Sequence, residues 1–121
     1  MLMLTCFLAA LTAAGNQEAQ KPYYEYEKLA ELIEHQSEEY ALIDVRTPEE
    51  YAAGYIPTAV NIPVDRIAEN PPQISEDTQI ILYCRTGVRS ARAQNILLDM
   101  GFTRITDFGG YTRWEGDLIL P

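Results

Sequence analysis

Two short apolar runs, ALIDV at 41–45 and QIILY at 79–83, each lead into a segment with helical character, and this alternation narrows the possible folds most. An apolar run without polar alternation has the character of a strand covered on both faces, as parallel strands are. Ahead of the first run, YEYEKLAELIEHQ places Leu29, Leu32 and Ile33 at helical spacing with acids between them, which predicts an amphipathic helix after a short extended start. After it, TPEEYAAG at 47–54 offers Thr47 as N-cap, Pro48 at the first helical position, two acids in the first turn and Gly54 as a stop. AVNIP predicts a second strand, and VDRIAEN a helical turn ended by Pro71 and Pro72. SARAQNILLDMGF predicts a helix starting near Ser90, with Ala93, Ile96, Leu97 and Met100 on one apolar face and Gly101 and Phe102 at its stop. Strands alternating with helices predict a three-layer α/β domain with a mostly parallel sheet. Ligands of such sheets bind beyond the carboxyl ends of the strands. Cys84 stands there, where the chain turns from strand into helix.

A chain of 121 residues is one ordinary domain. Its first segment, MLMLTCFLAALTAAG, has no charged side chain over 15 residues, too short for the roughly 20 that span a bilayer core. Residues 1–14 are expected to be a signal peptide, with Thr12 and Ala14 resembling a small-x-small cleavage pattern, followed by a linker at 15–21 and the domain at 22–121. A core segment and a lipoprotein signal ending at Cys6 are the weaker alternatives. Export, to a periplasm, follows from the first reading, and no stable membrane insertion of the mature chain is expected. Cleavage would leave Cys84 as the one cysteine, so an intramolecular disulfide could not form.

Charge is divided unevenly. Up to Asp77 there are 14 acidic and 4 basic residues (net −10), and from Thr78 onward 4 acidic and 5 basic (net +1), which together give −9. Such a surface repels nucleic acid and anionic lipid, so neither is an expected partner. The cationic residues lie in the half that holds Cys84, where a small anion could be drawn to the loop.

Cysteine is a nucleophile as the thiolate, whose formation helix N-termini and nearby cations favour. The turn RTGVR supplies both: Arg85 and Arg89 as charges, and Gly87 as the residue that lets successive amides curl into an anion-binding nest. The alternative is a small buried hydrophobe at a strand end. That alternative leaves the two arginines unexplained, because cations at a helix start oppose its dipole unless an anion sits among them. His35, the one histidine, lies in the first helix and is set aside as a solvated or helix-terminal residue. One histidine and one mature cysteine form no Cys/His metal constellation. The spacing from Cys84 to Arg89 is C-x4-R, with Ser90 at the position where a cysteine phosphatase loop would need arginine. A tighter cup suits attack on sulfur, whose long bonds bring the reacting atom nearer the loop floor.

The loop CRTGVRS, the upstream LIDVRTPEEYAAGYIPTAVNIP and the later DFGGYTRW together resemble the rhodanese family of sulfurtransferases in its single-domain form, over roughly residues 22 to 116. The resemblance implies a three-layer rhodanese-like domain with a mostly parallel five-stranded sheet and helices on both faces. It implies Cys84 as the persulfide-forming nucleophile, and substrate binding by the loop Arg85, Thr86, Gly87, Val88 and Arg89. The implied reaction takes sulfur from thiosulfate or a similar anionic donor and gives it to cyanide or a thiol, with no metal or organic cofactor and by a monomer. Two departures stand out: Tyr55 and Thr58 occupy positions where the family commonly has His and Gly. Asp44 and Arg46 are expected to form an ion pair beneath the site, with a substrate role for Arg46 as the alternative. Gly109 and Gly110, with Trp114 after them, are expected to pack the C-terminus rather than bind substrate, and Tyr23, Tyr24 and Tyr26 to pack core and edge, with an exposed aromatic cluster for a partner as the alternative. A sulfur-carrier or protein-binding module without turnover is the alternative function, and a cysteine phosphatase the third.

Overall fold

The structure is a computed structural model that describes residues 21–121. The signal-peptide expectation and most of the linker therefore lie outside the described residues. In chain order the elements are α1 (Tyr26–His35), β1 (Tyr40–Asp44), α2 (Pro48–Ala53), β2 (Val60–Asn61), β3 (Gln79–Cys84), α3 (Val88–Asp99), β4 (Ile105–Gly110) and a 3-10 turn (Tyr111–Arg113). The sheet runs β2-β1-β3-β4, with every neighbouring pair parallel.

All six residues of β3 are buried, as its unbroken apolar run required. Its side chains alternate between two cores. Ile80, Leu82 and Cys84 join Ile43, Val45, Ala93, Leu97 and Phe102 under α3. Ile81 and Tyr83 join Leu42, Ile56 and Phe108 under Leu29 and Leu32 of α1. Helices thus cover both faces, and α2, through its half-buried Tyr51, packs on the α1 side.

Among the described residues the sheet has four strands where five were expected. The segment before α1 closes a turn instead of extending, with Tyr24 N donating to the Lys21 carbonyl at 3.3 Å and Tyr23 at φ 68°. Pro22 has no N–H for a ladder, and it meets β4 by accepting from the Thr106 hydroxyl at 2.6 Å. Two helix expectations also shift. The helix after Cys84 begins at Val88, not Ser90, because Gly87 at φ 104° is its N-cap. Met100 follows the last helical residue and is 37% exposed, so it leaves the apolar face. VDRIAEN is a series of turns that still buries Val64 and Ile67.

The departures at 55 and 58 acquire a structural account. Thr58 has φ 71°, a conformation that disfavours a β-branched side chain and leaves glycine unstrained, and its Oγ1 lies 2.9 Å from the Tyr40 hydroxyl. Tyr55 stacks on Tyr51 with centroids 4.2 Å apart and pairs its backbone with Ile119. Both side chains therefore make local contacts of their own. No helix among the described residues is long and apolar enough to cross a membrane.

Candidate active site

Cys84 ends β3 with its side chain turned towards α3, and the residue is fully buried. The chain then reverses through Arg85 and Thr86, and Gly87 takes the left-handed conformation that aims the next amides inward. Gly87 N donates to Sγ at 2.9 Å and Ser90 N at 3.4 Å. The Ser90 hydroxyl lies 3.6 Å from Sγ and donates to the Gly87 carbonyl at 3.2 Å. While the thiol is protonated its S–H points to Ser90 Oγ. Once it ionises, the hydroxyl proton can turn to the sulfur.

Burial pushes the Cys84 thiol up, but the Ser90 hydroxyl and the amides of Ser90, Gly87 and Thr86 outweigh it and hold the thiol below its ordinary value. From the sequence, Arg85 and Arg89 are expected to do much of this work. Hydrogen bonds do it instead, and Ser90, noted in the sequence only as a helix start and a spacing mark, is the one side chain among the described residues that hydrogen-bonds to the sulfur.

Arg89 has a partner that sequence reasoning missed. Its guanidinium grips Glu50 of α2 with Nη1–Oε1 at 2.7 Å and Nη2–Oε2 at 3.1 Å. Glu50 also closes the capping box of α2: its N–H donates to Thr47 Oγ1 at 3.2 Å and its Oε1 accepts from Thr47 N at 3.0 Å. The arginine is the chief reason that the Glu50 carboxyl is pulled down to about 2. Arg89 is raised in turn by Glu50, with the Cys84 sulfur a further negative neighbour. The capping role of Glu50 is visible in TPEE, whereas its pairing spans 39 residues and depends on the tertiary fold.

Arg85, Thr86 and Val88 are exposed on the rim, Val88 to 76%. Gly109 and Gly110, expected to pack the C-terminus, seat this loop. A Cβ on Gly110 would stand 2.8 Å from the Arg85 carbonyl oxygen, and one on Gly87 would lie 3.7 Å from Gly109 Cα. The approach is set by a bulge in β4: Leu82 pairs with Asp107 and Tyr83 with Gly109, while Gly109 has φ 90°.

Asp44 and Arg46 form a buried pair at the end of β1, with Nη2–Oδ2 at 2.6 Å. Arg46 Nη2 also donates to the Gly54 carbonyl at 2.7 Å, and the guanidinium stacks 4.8 Å from the Tyr111 ring and 5.7 Å from that of Tyr83. His35 is exposed on the last turn of α1, which leads to the amino end of β1, whereas Cys84 is at the carboxyl end of the neighbouring parallel strand. Of the three tyrosines near the N-terminal end of the domain, Tyr26 packs edge-on to Trp114, Tyr24 lies under the Arg113 guanidinium, and Tyr23 donates its hydroxyl to Glu38. Among the described residues there is no cluster of three His, Cys, Asp or Glu side chains able to hold a metal.

The site can therefore stabilise a thiolate and present donors to the anionic end of a molecule that approaches it. The chain is similar to several known proteins. Residues 25–117 match the family model described as "Rhodanese-like domain". The putative sulfurtransferase YtwF of Bacillus subtilis is 40% identical over 89 residues, covering 74% of this chain and 85% of that one. Thiosulfate sulfurtransferase PspE of Escherichia coli is 38% identical over 83 residues, covering 65% and 74% respectively. A solved rhodanese with anions from E. coli superposes with a TM-score of 0.59 at 31% identity, over 68% of this chain and 99% of the other.

Proposed function

The chain belongs to the rhodanese family, and we propose that it is a sulfurtransferase that moves a sulfane sulfur from thiosulfate or a similar donor to a thiophilic acceptor through a persulfide on Cys84. The observation that carries this reading is the closure of the Gly87 and Ser90 amides on Sγ. In the first half-reaction the Cys84 thiolate attacks the outer sulfur of thiosulfate. A new S–S bond forms, the donor S–S bond breaks, and sulfite leaves with the electron pair. The backbone amides of Arg85, Thr86, Gly87, Val88 and Arg89, with the Arg85 guanidinium, hold the anionic end of the donor. In the second half-reaction an acceptor nucleophile takes the outer sulfur and Cys84 leaves as the thiolate, stabilised again by the amides and Ser90. Cyanide becomes thiocyanate, and a thiolate becomes a persulfide.

Incubating the reduced protein with thiosulfate should add one sulfur atom by intact mass, and cyanide should remove it. Cys84→Ser should show no adduct. An unshifted mass on protein whose thiol is shown to be reduced would overturn the reading. The short loop, with Arg89 tied to Glu50, disfavours the wrapping of a tetrahedral phosphoryl group.

A further inference from the structure

A loop with two arginines looks doubly cationic in the sequence, and the fold cancels one of them. Glu50 holds both terminal guanidinium nitrogens of Arg89, and both side chains are only partly exposed, 26% and 32%. Arg46, the other arginine behind the loop, is neutralised by Asp44 and buried. Arg92, on α3, faces Asp65. Arg85, exposed and in none of the ion pairs among the described residues, is left to supply the positive charge of the rim. Glu50 is fixed in this role by an independent duty, since the same carboxylate closes the α2 capping box. It also stays ionised throughout the neutral range, its carboxyl being held down to about 2 chiefly by Arg89.

We propose that Glu50 determines donor specificity: by occupying Arg89 it sets the cup near a single positive charge, so that singly charged sulfane donors of the thiosulfonate or persulfide class are favoured over the thiosulfate dianion. The inference rests on the sulfurtransferase reading above and deepens it. A second negative charge on the donor gains from one arginine and is repelled by the Glu50 carboxylate, whereas a singly charged donor keeps the amide contacts with less repulsion.

Thiosulfate and methanethiosulfonate are suitable probes, because they share the reacting sulfur and the S–S bond that breaks, and differ by one anionic oxygen against a methyl group. Sulfite leaves from one and methanesulfinate from the other, each with the electron pair, and both leave the same Cys84 persulfide. The measured quantity is the ratio of kcat/KM for thiosulfate to that for methanethiosulfonate, with cyanide as acceptor. Glu50→Gln keeps an amide able to close the capping box and removes the charge. The ratio should rise about three- to tenfold in Glu50→Gln. It should return towards the wild-type value when Arg89→Gln is added, because the freed guanidinium carries the gain. Thermal unfolding of each variant confirms that folded protein is compared. Equal losses with both donors and an unchanged ratio would show a merely structural pair and overturn the proposal. Failure of wild-type protein to form a persulfide with either donor would overturn the sulfurtransferase reading, and this proposal with it.

Discussion

At the residue scale the site turns on how the thiolate of one buried cysteine is favoured without histidine. Burial works against the thiolate, and four donors within one turn reverse its effect: the Ser90 hydroxyl and the amides of Ser90, Gly87 and Thr86. The Ser90 hydroxyl can be deleted with little change of shape. Ser90→Ala keeps the amide, which lies 3.4 Å from the sulfur, and removes the hydroxyl at 3.6 Å. Hydrogen bonds to charged groups contribute about 1.5 kcal/mol or more, so persulfide formation at neutral pH should slow roughly tenfold. The sign of the pH effect separates this from simple damage. Losing a donor to the anion raises the thiol pKa, so the inflection of the rate profile should move to higher pH and the rate should recover in alkaline buffer. A uniform loss at all pH values, with the inflection unmoved, would assign Ser90 a packing role only.

At the scale of elements, the loop is held as a shape by two neighbours, β4 and α2. Gly110 shows this for β4. Its φ of −82° suits any residue, so glycine is required there by space and not by backbone conformation. A methyl group would meet the Arg85 carbonyl at 2.8 Å, against backbone that cannot rotate away. Gly110→Ala should therefore displace the loop, costing about 1–3 kcal/mol by overpacking. It should also slow persulfide formation by an order of magnitude or more, since small misplacements of reacting groups are costly. Exposed Thr112→Ala is the control and should change neither thermal unfolding nor rate. Much of this scale was legible in the sequence. QIILY, TPEEY and the glycine of RTGVR specify a buried strand, a capped helix and a left-handed turn by local rules, and each formed where those rules put it. The partners that complete the site were not legible. Gly110 to Arg85 and Glu50 to Arg89 are contacts between segments 25 and 39 residues apart, which no periodicity or capping rule encodes. The missing fifth strand has a related cause: Tyr23 turns the chain with a backbone angle that extended-segment reasoning does not anticipate.

At the scale of the whole molecule, the Asp44–Arg46 pair joins the layers that the site depends on. Arg46 binds Asp44 of β1 and the carbonyl at the end of α2, and lies against Tyr83 of β3 and Tyr111 after β4. Asn61 of β2 donates to the carbonyls of both Asp44 and Arg46, at 2.9 and 3.0 Å. The buried guanidinium thus bridges β1, β3, the end of α2 and the turn after β4, while Asn61 ties the Asp44 and Arg46 backbone to β2. Asp44→Asn preserves side-chain size and leaves that cation without its counter-charge, a loss that costs about 3–5 kcal/mol when a buried pair is broken on one side. In a domain of this length each kcal/mol corresponds to about 4–8 °C, so the melting temperature should fall by at least about 12 °C in a single cooperative transition. Replacing both partners, Asp44→Leu with Arg46→Met, should recover much of that loss, because no unpaired charge is then buried. Measured well below its transition, Asp44→Asn should form the Cys84 persulfide within a few-fold of the wild-type rate, since a fully buried pair on the opposite face of the sheet from the sulfur does not meet the donor. A variant that melts like wild type but fails to take sulfur would reverse the assignment and make Arg46 a substrate ligand.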